Sequence, residues 1–176
     1  MNLQLIESIQ STARFKGQDL YVIVILIDNT FLQLFLQGER LEQAKALSGP
    51  DRVLHTMSDV HLFSILAKRC KALLDILAQQ PSVMKYPDDK KELFAILDVH
   101  KDLFSKAVKL RDGLEHSIFE NPARESITGK YSSDSGLAFQ FSYDVDKDKG
   151  AVNDDTFSLS ISEWETLYEE LIAYFK

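Results

Sequence analysis

Apolar side chains recur at three- and four-residue spacing over the first 121 positions, the pattern of helices that each bury one face. Leu3, Ile6, Ile9 and Ala13 predict a helix over residues 3–15, interrupted by Gly17. A second helix begins near Asp19, whose carboxylate suits an N-cap, and runs to about Leu47, where Ser48-Gly49-Pro50 stops it. The third spans about Asp51 to Gln80 on Leu54, Met57, Val60, Leu62, Phe63, Ile65, Leu66, Leu73, Leu74 and Leu77, and Pro81 closes it. Pro87-Asp88-Asp89 opens the fourth, with proline and acids where a helix N-terminus favours them. It continues through Leu93, Ile96, Leu97, Phe104, Ala107, Leu110, Leu114 and Ile118 to Asn121-Pro122.

Beyond Pro122 the period changes from about four to two. Ser126–Tyr131, Leu137–Val145 and Thr156–Ile161 alternate β-branched or aromatic residues with polar ones, with Asp146–Asp155 as a hairpin loop. Ser162-Glu-Trp-Glu165 has the spacing of a capping box and opens a last helix to about Tyr174. The expected fold is therefore mainly α. A bundle of about four helices (residues 1–122) carries a C-terminal β-hairpin and final helix (residues 123–176), packed on it as one domain.

Composition adds boundaries. The chain has 176 residues, 45% hydrophobic and 27% charged, the profile of a soluble globular domain large enough to bury a core. One cysteine, Cys70, excludes an intrachain disulfide and suits a reducing cytosol. The N-terminus lacks the basic opening of a signal peptide, and a cytoplasmic location is expected. The apolar run Leu20–Leu36 is interrupted by Asp28, Asn29, Thr30 and Gln33, so it reads as a helix buried in a bundle or dimer rather than a membrane span. The net charge of −7 is uneven: residues 1–130 are formally neutral, and residues 131–176 carry 3 basic against 10 acidic side chains. Such a protein is a poor general binder of nucleic acid, so any RNA contact should be local and confined to the helical part.

Several constellations can be set aside. Asp144, Asp146, Asp148, Gly150 and Asp155 mimic a calcium loop, but the glycine falls at position seven rather than six, and a strand precedes it. His55 and His61, six residues apart, point about 240° apart on one helix. Lys68, Arg69 and Lys71 make a small basic patch on the third helix. No metal-ligand spacing, cofactor motif or nucleophile elbow occurs, and no metal or cofactor is expected.

Arg111-Asp112-Gly113-Leu114-Glu115-His116 has more chemical content than any other segment. A guanidinium grips phosphate oxygens through parallel hydrogen bonds, and an imidazole moves protons near neutral pH. On one regular helix the two residues diverge by about 140°. Either a bend at Gly113 or a second copy of the helix across a two-fold axis is needed to join them. His100, eleven residues before Arg111, lies about 20° from it on a common helix, and Lys109 and Asn29 are further candidates for substrate contact.

Arg111-Asp112-x-x-x-His116, late in a helical bundle, resembles the Arg-x4–6-His signature of the HEPN superfamily. That resemblance implies a metal-independent endoribonuclease working as a homodimer, often in toxin–antitoxin or phage-defence systems. RNA is then the substrate, and an antitoxin or another operon protein the partner. It implies His116 as general base or acid at the ribose 2′-hydroxyl, Arg111 as the phosphate clamp and Asp112 as an orienting group. The product would carry a 2′,3′-cyclic phosphate. The alternative reading is a non-catalytic HEPN-like helical interaction or accessory module.

Overall fold

The computed structural model describes residues 4–11, 18–44, 46–47, 49–84, 87–119, 129–132, 138–144, 149–152, 155–158 and 161–176. The fold is mainly helical. Seven helical segments are described: α1 (Gln4–Ser11), α2 (Gln18–Ala44), α3 (Gly49–Ala78), α4 (Pro81–Met84), α5 (Pro87–Val99), α6 (Lys101–Phe119) and α7 (Ile161–Phe175). The long α2 and α3 are joined by a short turn and pack along each other as an antiparallel hairpin, against which the other helices lie. Gln79 and Gln80 end α3 with amide hydrogen bonds to the Ile76 and Leu77 carbonyls. Pro81 then starts α4, since proline forfeits no helical bond at a first position.

The core is organised around α7. Trp164, 1% exposed, makes ring contacts with Phe31 of α2, Phe63 of α3 and Phe104 of α6 at centroid separations of 6.5, 5.9 and 5.9 Å. Tyr168, one turn on, packs against Phe31 and Phe35 at 4.9 and 5.6 Å. Gly38 of α2 lies so close to Ile161 that a Cβ there would stand 2.6 Å from Ile161 Cδ1. Residues 38, 31 and 28 of α2 thus meet 161, 164 and 168 of α7, so the two helices run antiparallel. The last helix, expected from sequence to pack on the bundle, contributes the centre of its core.

Two expectations need correction, and part of a third lies outside the described residues. The fourth helix is not continuous: His100 separates α5 from α6, although its amide still bonds the Ile96 carbonyl and its carbonyl accepts from the Phe104 amide. The first helix is described only to Ser11, and residues 12–17 lie outside the described part. The simple C-terminal hairpin is not found. The backbone between 129 and 158 instead gives four short strands, β1 (Gly129–Ser132), β2 (Ala138–Asp144), β3 (Lys149–Val152) and β4 (Asp155–Ser158), in the order β1-β2-β3-β4 and antiparallel throughout. Residues assigned to a solvated loop thus form β3, with Tyr143 opposite Gly150 and Gly150 opposite Phe157. A four-residue strand centred on Gly-Ala offers too little alternation to be seen in sequence. The helix stop at Asn121-Pro122 lies outside the described residues.

Candidate functional site

α6 carries Arg111 and Asp112 side by side and continues through Gly113 without ending or breaking. Arg111 Nη1 donates to Asp112 Oδ1 at 2.8 Å, and Lys68 Nζ of α3 donates to the same oxygen at 3.2 Å. The three side chains are 29%, 45% and 43% exposed, so the cluster reaches solvent. Partial burial works to raise the Asp112 pKa, but the hydrogen bonds and charges of Arg111 and Lys68 outweigh it and hold the carboxyl below its ordinary range. The result is two cations that share one ionised acid. Sequence placed Lys68 in a basic patch but gave no sign that it meets Asp112. Within that patch Lys71 instead pairs with Asp75 on its own helix at 2.6 Å, and Arg69 is exposed.

His116 lies on the same unbroken helix; its side chain is outside the described residues. Five residues of regular helix put it about 140° from Arg111. The helix neither ends nor breaks at Gly113, which leaves a bend there or a second copy of the helix to bring them together.

The remaining candidates are dispersed. His100 is buried at the junction of α5 and α6, where its Nε2 pairs with Glu170 Oε2 of α7 at 3.0 Å. It is a tie between elements, and the junction also removes the common helix on which it was aligned with Arg111. Asn29 is exposed on α2, with its Oδ1 accepting from Gln33 Nε2 at 2.9 Å. Lys109 is exposed on α6, about 200° from Arg111. Neither joins the Arg111–Asp112–Lys68 cluster.

Two polar groupings escaped sequence reading. Asp28 is 1% exposed and is bonded to Tyr168 of α7 and to the Ile6 amide of α1. Burial raises its pKa, with these hydrogen bonds opposing the rise; burial and the neighbouring Asp28 also push the Tyr168 hydroxyl far above its usual range. Near the turn between α2 and α3, a cavity of about 500 Å³ is lined by Arg40, Gln43, Ala44, Leu47, His55 and Asp59. Arg40 reaches the buried Asp59 there at 3.0 Å. The His55-x3-Asp59 spacing was its one available signal; the facing Arg40 depends on how the hairpin closes.

Cys70 is fully buried, which pushes its thiol far above the reactive range and leaves it a packing group. Among the described residues, no group of three or more His, Cys, Asp or Glu side chains is placed to hold a metal ion. No family model matches the chain, and neither a curated protein nor a solved structure matches it.

Proposed function

We propose that the chain is a HEPN-like endoribonuclease of the toxin or phage-defence type, acting without a metal ion as a two-fold dimer. The observation that carries this reading is the solvent-reaching Arg111–Asp112–Lys68 cluster on the helix that also bears His116. A guanidinium and an ammonium side by side suit a phosphate, and Asp112 fixes the guanidinium in place before a ligand arrives. His116 takes the proton from the ribose 2′-hydroxyl. The 2′-oxygen bonds to phosphorus, the bond to the 5′-oxygen breaks, and that oxygen takes a proton from water. A 2′,3′-cyclic phosphate and a 5′-hydroxyl end result, while Arg111 stabilises the charge gathering on the phosphoryl oxygens. Since one helix splays Arg111 and His116, the second copy completes the pair.

The test is RNA cleavage by the purified full chain in the presence of EDTA, with end-group analysis of the products. His116→Ala is expected to lower cleavage by at least a hundredfold with unchanged circular dichroism and unchanged mass in solution. Equal activity in that variant removes the proposal.

A second reading, a non-catalytic helical interaction module, is favoured by one observation. Val22, Leu26 and Leu36 of α2 and Leu62, Ile65 and Ile76 of α3 are all exposed. Under that reading Arg111 is only part of a structural ion pair. Arg111→Met then lowers Tm by more than a few degrees, whereas a phosphate clamp is dispensable for folding.

A further inference from the structure

The cavity at the turn end of the α2–α3 hairpin has a buried charge in its wall. Its volume, about 500 Å³, lies within the roughly 300–1,000 Å³ of sites that take small molecules. Both arms of the hairpin build it: Arg40, Gln43, Ala44 and Leu47 on one side, His55 and Asp59 on the other. Lys68 stands nine residues beyond Asp59 on α3, about 14 Å along the helix axis. The cavity is therefore separate from the Arg111–Asp112–Lys68 cluster.

Asp59 sets the chemistry. Its side chain is 4% exposed, and among the described residues its one ion-pair partner is Arg40, which meets Oδ1. Burying a carboxylate costs the hydration of both oxygens, and a bond to Oδ1 restores only part of it. Arg40 is 52% exposed and spends Nη2 on this bond, so its guanidinium keeps further N–H donors. Gln43 and His55, both exposed, add an amide and a ring nitrogen, and Ala44 and Leu47 add an apolar wall. Thr56, next to His55 and one turn before Asp59, is fully buried, and its Oγ1 has no hydrogen-bond partner among the described residues. Unmet hydrogen-bonding capacity at this end of α3 is rare in native folds unless something supplies it.

We propose that this cavity binds a free α-amino acid with a large apolar side chain. The ligand carboxylate takes the remaining guanidinium donors of Arg40 and the amide of Gln43. Its ammonium group donates to the second oxygen of Asp59, and its side chain lies against Ala44 and Leu47. Charge decides the class. The described ionic side chains of the wall are one cation already shared with one anion, which matches a zwitterion. A doubly charged phosphate meets the Asp59 carboxylate and finds only part of a guanidinium in return. A purely apolar ligand leaves Asp59 with a single donor and displaces its water. Because the site needs both helices, the ligand binds the closed hairpin and not the unfolded chain, so Tm rises with ligand concentration. The inference is independent of the nuclease reading.

Isothermal titration of the full chain with L-phenylalanine and L-leucine tests it, with thermal unfolding as a second readout. At least one of the two is expected to bind once per chain with a Kd below about 1 mM. L-phenylalaninamide, which lacks the carboxylate, and N-acetyl-L-phenylalanine, which lacks the ammonium group, should each bind at least tenfold more weakly. L-serine, with no apolar body, should do the same. Gln43→Ala and Leu47→Asp, at exposed positions, are each expected to raise Kd several-fold with unchanged circular dichroism. Arg40→Lys keeps a cation beside Asp59 but loses the planar fork, and should raise Kd at least tenfold. Absence of binding by both phenylalanine and leucine at 10 mM overturns the proposal. So does equal binding of the amide and acetyl derivatives, displacement of phenylalanine by inorganic phosphate, or binding indifferent to both Gln43→Ala and Leu47→Asp.

Discussion

Tyr168 donates its hydroxyl hydrogen to Asp28 across 140 residues of sequence, and this buried bond ties three helices together. The other Asp28 oxygen accepts the Ile6 amide at 3.2 Å, and the Tyr168 oxygen accepts the Gln4 amide at 3.3 Å. Gln4 and Ile6 belong to the first turn of α1, whose amides have no partner within their own helix. Side chains from α2 and α7 therefore cap α1, and a polar residue interrupting the most apolar helix acquires a purpose.

From this arrangement follows a stability effect with a defined sign. Burial raises the pKa of Asp28 above its ordinary 3.8. Between that value and the folded one the native state binds more protons than the unfolded chain, so stability falls as pH rises through the window. Asp28→Asn keeps an acceptor for Ile6, faces Tyr168 with an amide that donates where the carboxylate accepted, removes the titrating group, and is expected to flatten this slope in urea titrations from pH 4 to 7. Asp28→Ala strands both partners and should cost roughly 2–4 kcal/mol. Tyr168→Phe removes one of the bonds that hold the Asp28 pKa down, so it should steepen the slope. An unchanged slope in Asp28→Asn would refute the assignment.

How much of this was legible is decided by sequence distance. The helices of the bundle followed from period, because each apolar stripe is local information. Asp28 is visible in sequence only as a polar intrusion in an apolar run, since its partners lie 22 and 140 positions away. Trp164 likewise stood out only as part of a capping box, yet it is the contact point of α2, α3 and α6. The Arg111–Asp112 neighbourhood was legible from residue chemistry, whereas Lys68 entered it through the packing of α3 on α6. His100 misled because a histidine at a helix junction has the same spacing as one on a continuous face.

Asp112 should show the opposite pH behaviour to Asp28. Its pKa is held below the ordinary value by Arg111 and Lys68, against the effect of burial. The stability it contributes is therefore complete above about pH 4 and is lost as pH falls through the folded value. Almost half its side chain is exposed, so solvent and salt screen the cluster and the whole contribution should stay below about 1 kcal/mol. Asp112→Asn is expected to leave stability near pH 7 within that margin and to weaken the acid-side decline below pH 4. Salt at 0.5 M should shrink the difference between variant and wild type. A loss of several kcal/mol at neutral pH would mean that the cluster is chiefly structural, and would count against its reservation for a phosphate.

Gly38 tests the docking of α7 more directly than any core truncation. In a helix interior, replacing glycine by alanine ordinarily gains about 1 kcal/mol, because the backbone loses less entropy on folding. Here the added methyl would lie 2.6 Å from Ile161 Cδ1 and 2.9 Å from Cγ1, with the Ile161 Cβ at 3.4 Å. The terminal carbon can rotate away, but Cγ1 sits one bond from Cβ and moves only with χ1 or with the helix itself. Overpacking of this kind costs roughly 1–3 kcal/mol and outweighs the propensity gain. Gly38→Ala should therefore lower stability by about 1 kcal/mol, with the loss appearing as looser seating of the α7 N-terminus on α2. Ile161→Ala clears the obstruction at the cost of some packing. In that background the same Gly38→Ala change should become stabilising, recovering the ordinary helix gain. Thermal unfolding of the four chains of this cycle provides the measurement. A sign that does not reverse between the two backgrounds would show that α7 does not approach α2 at this point.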